Sequence, residues 1–254
     1  MKETISNIIT RLNLITFKEI LLIRLGLRTK LYEQRTSIIS NLYKDIVKPG
    51  MLVYDVGANM GHYTSAFLKL GAEVICVEPQ SGCFKILKTR YKNDKRVQLL
   101  HCALDSEEGE KKIHISNMST ISSMSEEWIN AVKTSKRFPG AEWEKEVRVK
   151  TNTLESLMAA YGRPDFIKID VEGYELNVLK GLKSKVPLIS IEYTFEVTGT
   201  TIKCLEYLEG IGKTVVLLND TYADSKWISS KDAITALHGI TDKDSTGDLF
   251  IKFI

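Results

Sequence analysis

The chain's strongest constraint is a regular alternation of short apolar runs and helical patterns that begins at residue 51. Residues 51–57 (MLVYDVG) are apolar up to an acid and a glycine, and the helical pattern GHYTSAFLKL follows. The runs EVICVEP and VQLLHCAL then flank a second helical pattern, so that two strand–helix units and a third strand occupy fewer than 60 residues. Such short connections are typical of parallel strands covered by helices. The sequence therefore predicts an α/β fold.

The alternation is interrupted between residues 105 and 152 and then resumes. A turn, two alternating segments (KKIHIS and EVRVK) and a Ser-rich stretch fill the interruption. These residues could shape a substrate pocket, or they could form an ordinary surface hairpin and loop. Helical patterns at TLESLMAAYG, ELNVLKGL and 200–210 follow, with strand patterns at DFIKIDV, PLISIEYT, KTVVLLN and DLFIKFI.

The residues before the first strand differ from the rest of the chain in charge. Residues 1–50 carry nine basic and four acidic residues, a net charge of +5, against +3 for the whole chain. Apolar residues recur there on one helical face, at Leu31, Ile38, Ile39, Leu42 and Ile46. Pro49-Gly50 ends that helix. We predict a helical extension over residues 1–47 and an α/β domain over residues 48–254.

The basic start of the chain has two interpretations. Residues 1–30 place apolar side chains at helical spacing and interrupt them with Arg11, Lys18, Glu19 and Arg24. An amphipathic basic stretch could lie on an anionic membrane surface. We favour a helical flap packed on the α/β domain.

Cysteine usage and hydropathy give an expectation for the compartment. Four cysteines without C-x-x-C spacing indicate reduced thiols rather than a disulfide framework. No run reaches the ~20 apolar residues of a membrane span, and no signal-peptide cleavage pattern is seen. We expect a cytoplasmic protein with no integral membrane segment. The small net charge does not indicate a nucleic-acid partner.

The loop after the first strand has the composition of a ligand-binding turn. Gly57 and Gly61 let the backbone pass close to a ligand, and the helix that follows offers unpaired N–H groups to a carboxylate or phosphate. The dinucleotide fingerprint G-x-G-x-x-G is absent, since Asn59 stands in place of the middle glycine. A nicotinamide cofactor is therefore disfavoured.

Two further strand ends complete a pattern for a nucleoside. Glu78 ends the second strand, 21 residues after Gly57, where an acid can accept hydrogen bonds from both ribose hydroxyls. The third strand ends at Ala103-Leu104-Asp105, which would flank an adenine. Together these residues predict a cofactor that carries a nucleoside.

The segments DVGANMGHYT, VEP, TLESL, DFIKIDVEGYELNVLKG and ISIEYT, in this order, resemble the FkbM family of S-adenosylmethionine-dependent methyltransferases. The resemblance runs from about residue 48 to residue 194, and KIDVEGYE is its most specific motif. It implies a Rossmann-like class I methyltransferase fold: a seven-stranded, mostly parallel sheet with an antiparallel last strand and helices on both faces. It also implies S-adenosylmethionine as cofactor and methylation of a hydroxyl on a sugar, glycan or secondary metabolite.

The resemblance carries over to individual positions of this chain. The residues that match the family's cofactor-binding positions are Asp55, Gly57, Asn59, Gly61, Tyr63, Thr64, Glu78, Ala103 and Leu104. The loop residues among them would surround the methionine part of the cofactor. Glu78 would bind the ribose, and Ala103-Leu104 would lie beside the adenine.

Asp170 and Glu172 are the predicted catalytic residues. An alcohol is a poor nucleophile unless its proton can leave, and a carboxylate at the end of the fourth strand suits that task. Glu172 and Glu175 could instead be first-turn acids that stabilise a helix, and His62 is an alternative base. Asp170, Glu172 and Glu192 could bind a divalent ion, but they lack a dedicated ligand spacing, so we predict no metal.

Two other classes of protein share parts of this pattern. A nicotinamide-dependent oxidoreductase has a related fold, and a non-catalytic nucleoside-binding module would need only the cofactor elements. The sequence does not name the methyl acceptor beyond a small-molecule or glycan hydroxyl.

Overall fold

The computed structural model describes residues 14–27, 30–218, 226–242 and 245–254. Residues 14–24 are helical. The helices that follow are α1 (Lys30–Tyr43), α2 (His62–Lys69), α3 (Ser81–Tyr91), α4 (Glu126–Ser135), α5 (Leu154–Tyr161), α6 (Glu175–Lys180), α7 (Thr198–Ile211) and α8 (Ser230–His238). The strands are β1 (Leu52–Val56), β2 (Glu73–Val77), β3 (Val97–Leu100), β4 (Ala103–Leu104), β5 (Gly109–Ile115), β6 (Lys145–Asn152), β7 (Phe166–Ile169), β8 (Ile189–Thr194), β9 (Thr214–Leu218), β10 (Ile228–Ser229) and β11 (Thr246–Phe253).

The main sheet has the order β3-β2-β1-β7-β8-β11-β9-β10. Its first five strands run parallel, and β11 lies antiparallel between β8 and β9. This confirms the predicted α/β class with a mostly parallel sheet and an antiparallel last strand. The two-residue strand β10 pairs antiparallel with β9 and adds an eighth strand at the edge.

The third predicted strand is divided between two sheets. β3 pairs with β2 in the main sheet, whereas β4 pairs with β6 in a three-stranded sheet of order β4-β6-β5. Residues 105–152 therefore form a hairpin of β5 and β6, with α4 carried between the two strands. The hairpin extends the domain beyond the edge of the main sheet.

Helices cover both faces of the main sheet because its strand residues alternate between two cores. Val53 of β1 packs in one core with Phe67 of α2 and Leu87 of α3. Its neighbour Tyr54 points the other way, into a core that contains side chains of α5, α6 and α7. The polar residues of the central strands point to the α2 side, among them Asp55 and Lys168.

Helix α1 packs on α2 through polar and aromatic residues. Its buried residues are Tyr32, Thr36, Ser40 and Tyr43. The apolar positions that identified this helix in the sequence lie mostly on its solvent side, since Leu31, Ile38 and Leu42 are 59%, 60% and 41% exposed.

The division of the chain at residue 47 stays a prediction, and residues 1–13 and 28–29 of the extension lie outside the described residues. In the described ranges, no helix combines the length and apolar character needed to cross a bilayer.

A buried lysine connects the central strands. Lys168 of β7 has no exposed side-chain surface, and its Nζ lies 2.9 Å from Asp248 Oδ1 and 3.5 Å from Asp170 Oδ2. The Tyr43 hydroxyl donates to Asp248 Oδ2 at 2.7 Å. Burial alone would lower the pKa of Lys168, but Asp248 and Asp170 outweigh it and hold that pKa well above its usual value. The ammonium group is therefore charged and links β7, β11 and α1.

We expect Lys168→Met to lower the free energy of unfolding by about 3–5 kcal/mol, because it leaves two carboxylates without their cation. Urea unfolding followed by circular dichroism measures the loss. The exposed Lys203→Met on α7 is the matched control and should cost less than about 0.5 kcal/mol. A loss below about 1 kcal/mol for Lys168→Met would show that the buried lysine does not stabilise the fold.

Candidate functional site

The carboxyl ends of β1, β2, β4 and β7 meet around one cavity. Seven of the eleven predicted site residues line it. They are Gly57, Asn59, Glu78, Ala103, Leu104, Asp170 and Glu172. Ligands in open α/β sheets bind outside the carboxyl ends of the strands, so this cavity has the expected position.

Gly57 allows the loops after β1 and β7 to cross. Its φ is +87°, and a Cβ at this position would lie 1.9 Å from the carbonyl oxygen of Asp170. Both Gly57 and Ala58 donate their N–H groups to the Val77 carbonyl at 3.0 Å. Asn59, two residues further on, also has a left-handed backbone, with a φ of +47°. The backbone is thus held against the ends of β2 and β7 with no side chain between them.

Glu78 holds the loops after β1 and β2 together. It is 1% exposed and accepts the N–H groups of Asn59 at 2.8 Å and Gln80 at 2.6 Å. Burial raises the pKa of Glu78 to about 7, although these two hydrogen bonds oppose the shift. One carboxylate therefore organises two of the loops that form the cavity.

The four predicted residues that do not line the cavity lie beneath or beside its first loop. The Thr64 hydroxyl donates to Asp55, and both side chains are buried. The carbonyl of Gly61 accepts hydrogen bonds from the hydroxyls of Tyr32 and Tyr91, each at 2.8 Å. The remaining residue, Tyr63, packs against Tyr43 and Phe67. These contacts brace the loop and leave the cavity wall to other residues.

Three carboxylates converge where β7 and β8 end. Asp170, Glu172 and Glu192 each place one oxygen so that the three atoms lie within 4.8 Å of one another. Burial, followed by the charges of Glu192 and Asp170, raises the pKa of Glu172 well above its usual value. Burial and Asp170 do the same for Glu192. Close carboxylates resist simultaneous ionisation, so this pair tends to retain a proton.

The backbone at Glu172 differs from the helical geometry that the sequence suggested. Helix α6 begins at Glu175, so the first-turn interpretation was wrong for Glu172, which precedes the helix with a φ of +54°. Glu175 accepts the N–H groups of Val171 and Gly173, both at 3.2 Å. A left-handed non-glycine residue is uncommon and needs such support. Glu175 itself lies in the first turn of α6, which is the position that the sequence suggested for it.

His62, the alternative base, does not line the cavity. Its ring packs against that of Tyr32 with a centroid distance of 4.4 Å and a tilt of 32° between the ring planes. Burial, helped by Arg35 and Arg90, lowers the pKa of His62 to about 4, so the ring is neutral at pH 7. It packs α1 against the loop.

Several cavity residues were not singled out in the sequence. They belong mainly to the Ser-rich segment 119–124, with Gln80 and Tyr174 beside it. The Ser123 hydroxyl donates to the Glu172 carbonyl at 2.6 Å, and the Gln80 amide donates to the Ser119 carbonyl at 3.0 Å. The sequence left this interruption open between a pocket wall and a surface loop, and it forms part of the wall.

A larger groove of about 740 Å³ adjoins the cavity. The two share Pro79, Gln80, Ile113 and Ser119. The rest of the groove is largely apolar, with Lys85 and Lys145 among its lining residues. Its volume is in the range of small-molecule sites.

The chain is similar to one protein family in sequence and to several solved structures in fold. A profile of the methyltransferase FkbM domain matches residues 55–211. Similar solved structures include a precorrin-6y C5,15-methyltransferase from Geobacter metallireducens, with 12% identity, 86% of each chain covered and a TM-score of 0.43. A putative rRNA methylase from Clostridium thermocellum has 12% identity over 90% of this chain and 97% of its own, with a TM-score of 0.43. TYW2 from P. horikoshii, solved in complex with MeSAdo, has 14% identity over 84% of this chain and 61% of its own, with a TM-score of 0.40. No curated protein matches the sequence.

The crossing at Gly57 can be tested with two alanine substitutions. Gly140 also has a positive φ of +77°, but no atom of the described residues lies within 4 Å of its Cβ position. Gly140→Ala should therefore cost only about 1 kcal/mol for the left-handed backbone. Gly57→Ala should cost a further 1–3 kcal/mol, roughly, because its methyl group forces two loops apart. Equal losses of unfolding free energy in the two variants would contradict the close crossing.

Proposed function

This chain belongs to the FkbM methyltransferase family, and from that membership we propose that it methylates a hydroxyl oxygen of a sugar, glycan or secondary metabolite. It is an S-adenosylmethionine-dependent methyltransferase. Methylation of oxygen is supported by the group of carboxylates at the cavity, because a carboxylate can accept the proton that a hydroxyl must lose.

The cavity residues fit the parts of the cofactor in turn. The loop at Gly57 and Asn59 exposes backbone suited to the methionine part, and it is adjacent to Asp170. Glu78 has a carboxylate next to the cavity, where ribose hydroxyls could donate to it. Ala103 and Leu104 offer a small apolar surface for an adenine ring. When bound, the cofactor supplies a methyl group made electrophilic by its sulfonium.

We propose that Glu172 removes the acceptor's proton. Glu172 lines the cavity with its carboxylate beside those of Asp170 and Glu192, and its raised pKa makes its ionised form a stronger base than an ordinary glutamate. Glu192 can share the proton with it. Asp170 is partly neutralised by Lys168 at 3.5 Å and would orient the acceptor or cofactor rather than take the proton. With the cofactor held at Gly57, Asn59 and Glu78, its sulfonium would supply the methyl group to the acceptor oxygen while Glu172 kept the proton.

The groove beside the cavity is the proposed acceptor site. It opens onto the cavity through Pro79 and Gln80, so an acceptor lying in it would reach the cofactor without crossing the protein. Its apolar lining suits the hydrophobic part of an acceptor, and Lys85 and Lys145 suit a negatively charged one.

Glu78→Ala tests the proposed ribose contact. The variant should bind S-adenosylmethionine more weakly by about 1.5–3 kcal/mol, roughly a 10- to 150-fold loss of affinity, because a charged acceptor of two hydrogen bonds is removed. Titration calorimetry measures this loss, and Glu73→Ala at the opposite end of β2 is the control. Unchanged affinity in a folded Glu78→Ala variant would remove Glu78 from the cofactor site.

Glu172→Gln tests the proposed base. Turnover at saturating cofactor should fall about 10² to 10⁴-fold while cofactor affinity holds, because the lost interaction belongs to the transition state. In the wild type, turnover should rise with pH through a pKa above that of an ordinary glutamate, since only the ionised carboxylate accepts a proton. Glu172→Gln should lose this rise.

An acceptor library with labelled cofactor provides the substrate for this measurement. The exposed Glu127→Gln on α4 serves as the control and should keep its activity. A fall of less than threefold for Glu172→Gln would exclude Glu172 as the base. Exclusive labelling of carbon or nitrogen in the library products would contradict methylation of oxygen.

A further inference from the structure

The first described helix exposes an apolar stripe to solvent. At 3.6 residues per turn, Leu14, Phe17, Leu21 and Leu25 lie within an arc of about 80°. Their exposed fractions are 61%, 65%, 45% and 61%. The backbone N–H of Leu25 donates to the Leu21 carbonyl at 3.0 Å, so the helical spacing continues to the end of the stripe.

Contacts on the opposite side of this helix fix its orientation. Glu19 forms an ion pair with Arg90 of α3 at 3.7 Å. Thr16 lies against Gly82, where a Cβ would be 3.2 Å from its hydroxyl oxygen. Because the helix is held on α3 by this side, its apolar stripe points away from the protein.

Basic residues border the stripe. Lys18 and Arg24 are exposed and lie on its two sides at helical spacing, whereas Glu19 faces α3. Helix α1 repeats the arrangement, since its exposed Leu31, Ile38 and Leu42 recur on one face. Exposed Lys30 and Arg35 belong to the same helix, with Glu33 as an exposed acid. Contiguous exposed apolar residues on a water-soluble domain mark an interaction surface.

We propose that the N-terminal apolar surface, formed by the exposed apolar and basic residues of 14–25, binds the surface of a bilayer that contains anionic lipids. Apolar stripes with basic borders suit this environment: the side chains enter the acyl boundary, and the cations remain at the lipid headgroups. A second copy of the chain fits less well. Pairing two such surfaces symmetrically would bring like charges together at Lys18 and Arg24.

Binding to a bilayer in this orientation would also set the position of the groove of about 740 Å³ relative to the membrane. Ile15 and Thr16 of the same helix line that groove, which continues to the cofactor cavity through Pro79 and Gln80. A chain bound through its N-terminal apolar surface therefore places the groove on the protein side of the bound helix, with the helix between the groove and the bilayer.

Co-sedimentation of the full chain with vesicles tests the proposal. We expect binding to phosphatidylcholine vesicles that contain phosphatidylglycerol, weaker binding to pure phosphatidylcholine, and a decrease with added salt. Phe17→Asp combined with Leu21→Asp should lower partitioning at least about tenfold. Lys18→Ala combined with Arg24→Ala should lower it about 30-fold on the anionic vesicles.

Matched controls carry the same changes elsewhere on the surface. Tyr161→Asp replaces an exposed apolar residue of α5, and Lys203→Ala with Lys231→Ala removes two exposed cations of α7 and α8; both should bind like the wild type. Thermal unfolding checks each variant, and the lysine–arginine pair keeps the test valid if the aspartate pair unfolds. The proposal is overturned by no binding to anionic vesicles, by equal losses in the controls, or by a concentration-dependent dimer that Phe17→Asp dissociates without any vesicle binding.

Discussion

The buried ammonium group of Lys168 is the interaction on which the rest of the structure depends. It lies at the centre of the sheet, between the strand that ends at the cavity and the antiparallel strand that closes the fold. Desolvating such a charge costs several kcal/mol unless carboxylates compensate it. Asp248 and Asp170 provide that compensation, and Tyr43 extends the network to α1. The ion pairs of Lys168 and the hydrogen bond of Tyr43 therefore connect the main sheet, α1 and the cavity.

One cation does not neutralise all the carboxylates around it. Lys168 lies beside Asp248 and Asp170, while Glu172 and Glu192 have each other as close neighbours. Burial, and after it the excess negative charge, raises the pKa of both glutamates. The backbone of Glu172 is also strained, since a φ of +54° is uncommon for a residue other than glycine. Gly173 has a φ of +85° and lies so close to Trp128 that a Cβ would approach its side chain to 2.5 Å. Strain and unbalanced charge at one cavity are typical of functional sites.

Much of this architecture follows from local sequence. A mostly parallel sheet needs only strand–helix units with short connections, and the glycine loop needs residues that tolerate a positive φ, so both could be predicted. The crossing at Gly57 gives the reason for one of these glycines: the Asp170 carbonyl occupies the space where a side chain would be. Glu78 was recognised as an acid after a strand, whereas its hydrogen bonds to two loops depend on how β1 and β2 are paired.

Other features depend on tertiary contacts that no sequence window contains. Helix α1 has an apolar stripe, yet the hydroxyl of Tyr32 and the ring of Tyr43 decide which side packs. Segment 119–124 reaches the cavity because Ser123 pairs with His114 of β5 and donates to the Glu172 carbonyl. The start of α6 at Glu175 results from its hydrogen bonds to Val171 and Gly173. Periodicity identifies elements and their amphipathic character, but the neighbouring elements determine which face is buried.

We propose that one cavity holds the methyl donor against Glu172. A crystal structure of the chain with S-adenosylhomocysteine, the demethylated cofactor, would test this arrangement. We expect the ribose hydroxyls on the Glu78 carboxylate, the adenine beside Ala103 and Leu104, and the sulfur facing Glu172 across a gap that admits a hydroxyl group. A ribose bound away from Glu78, or protein atoms filling the space between the sulfur and Glu172, would contradict it.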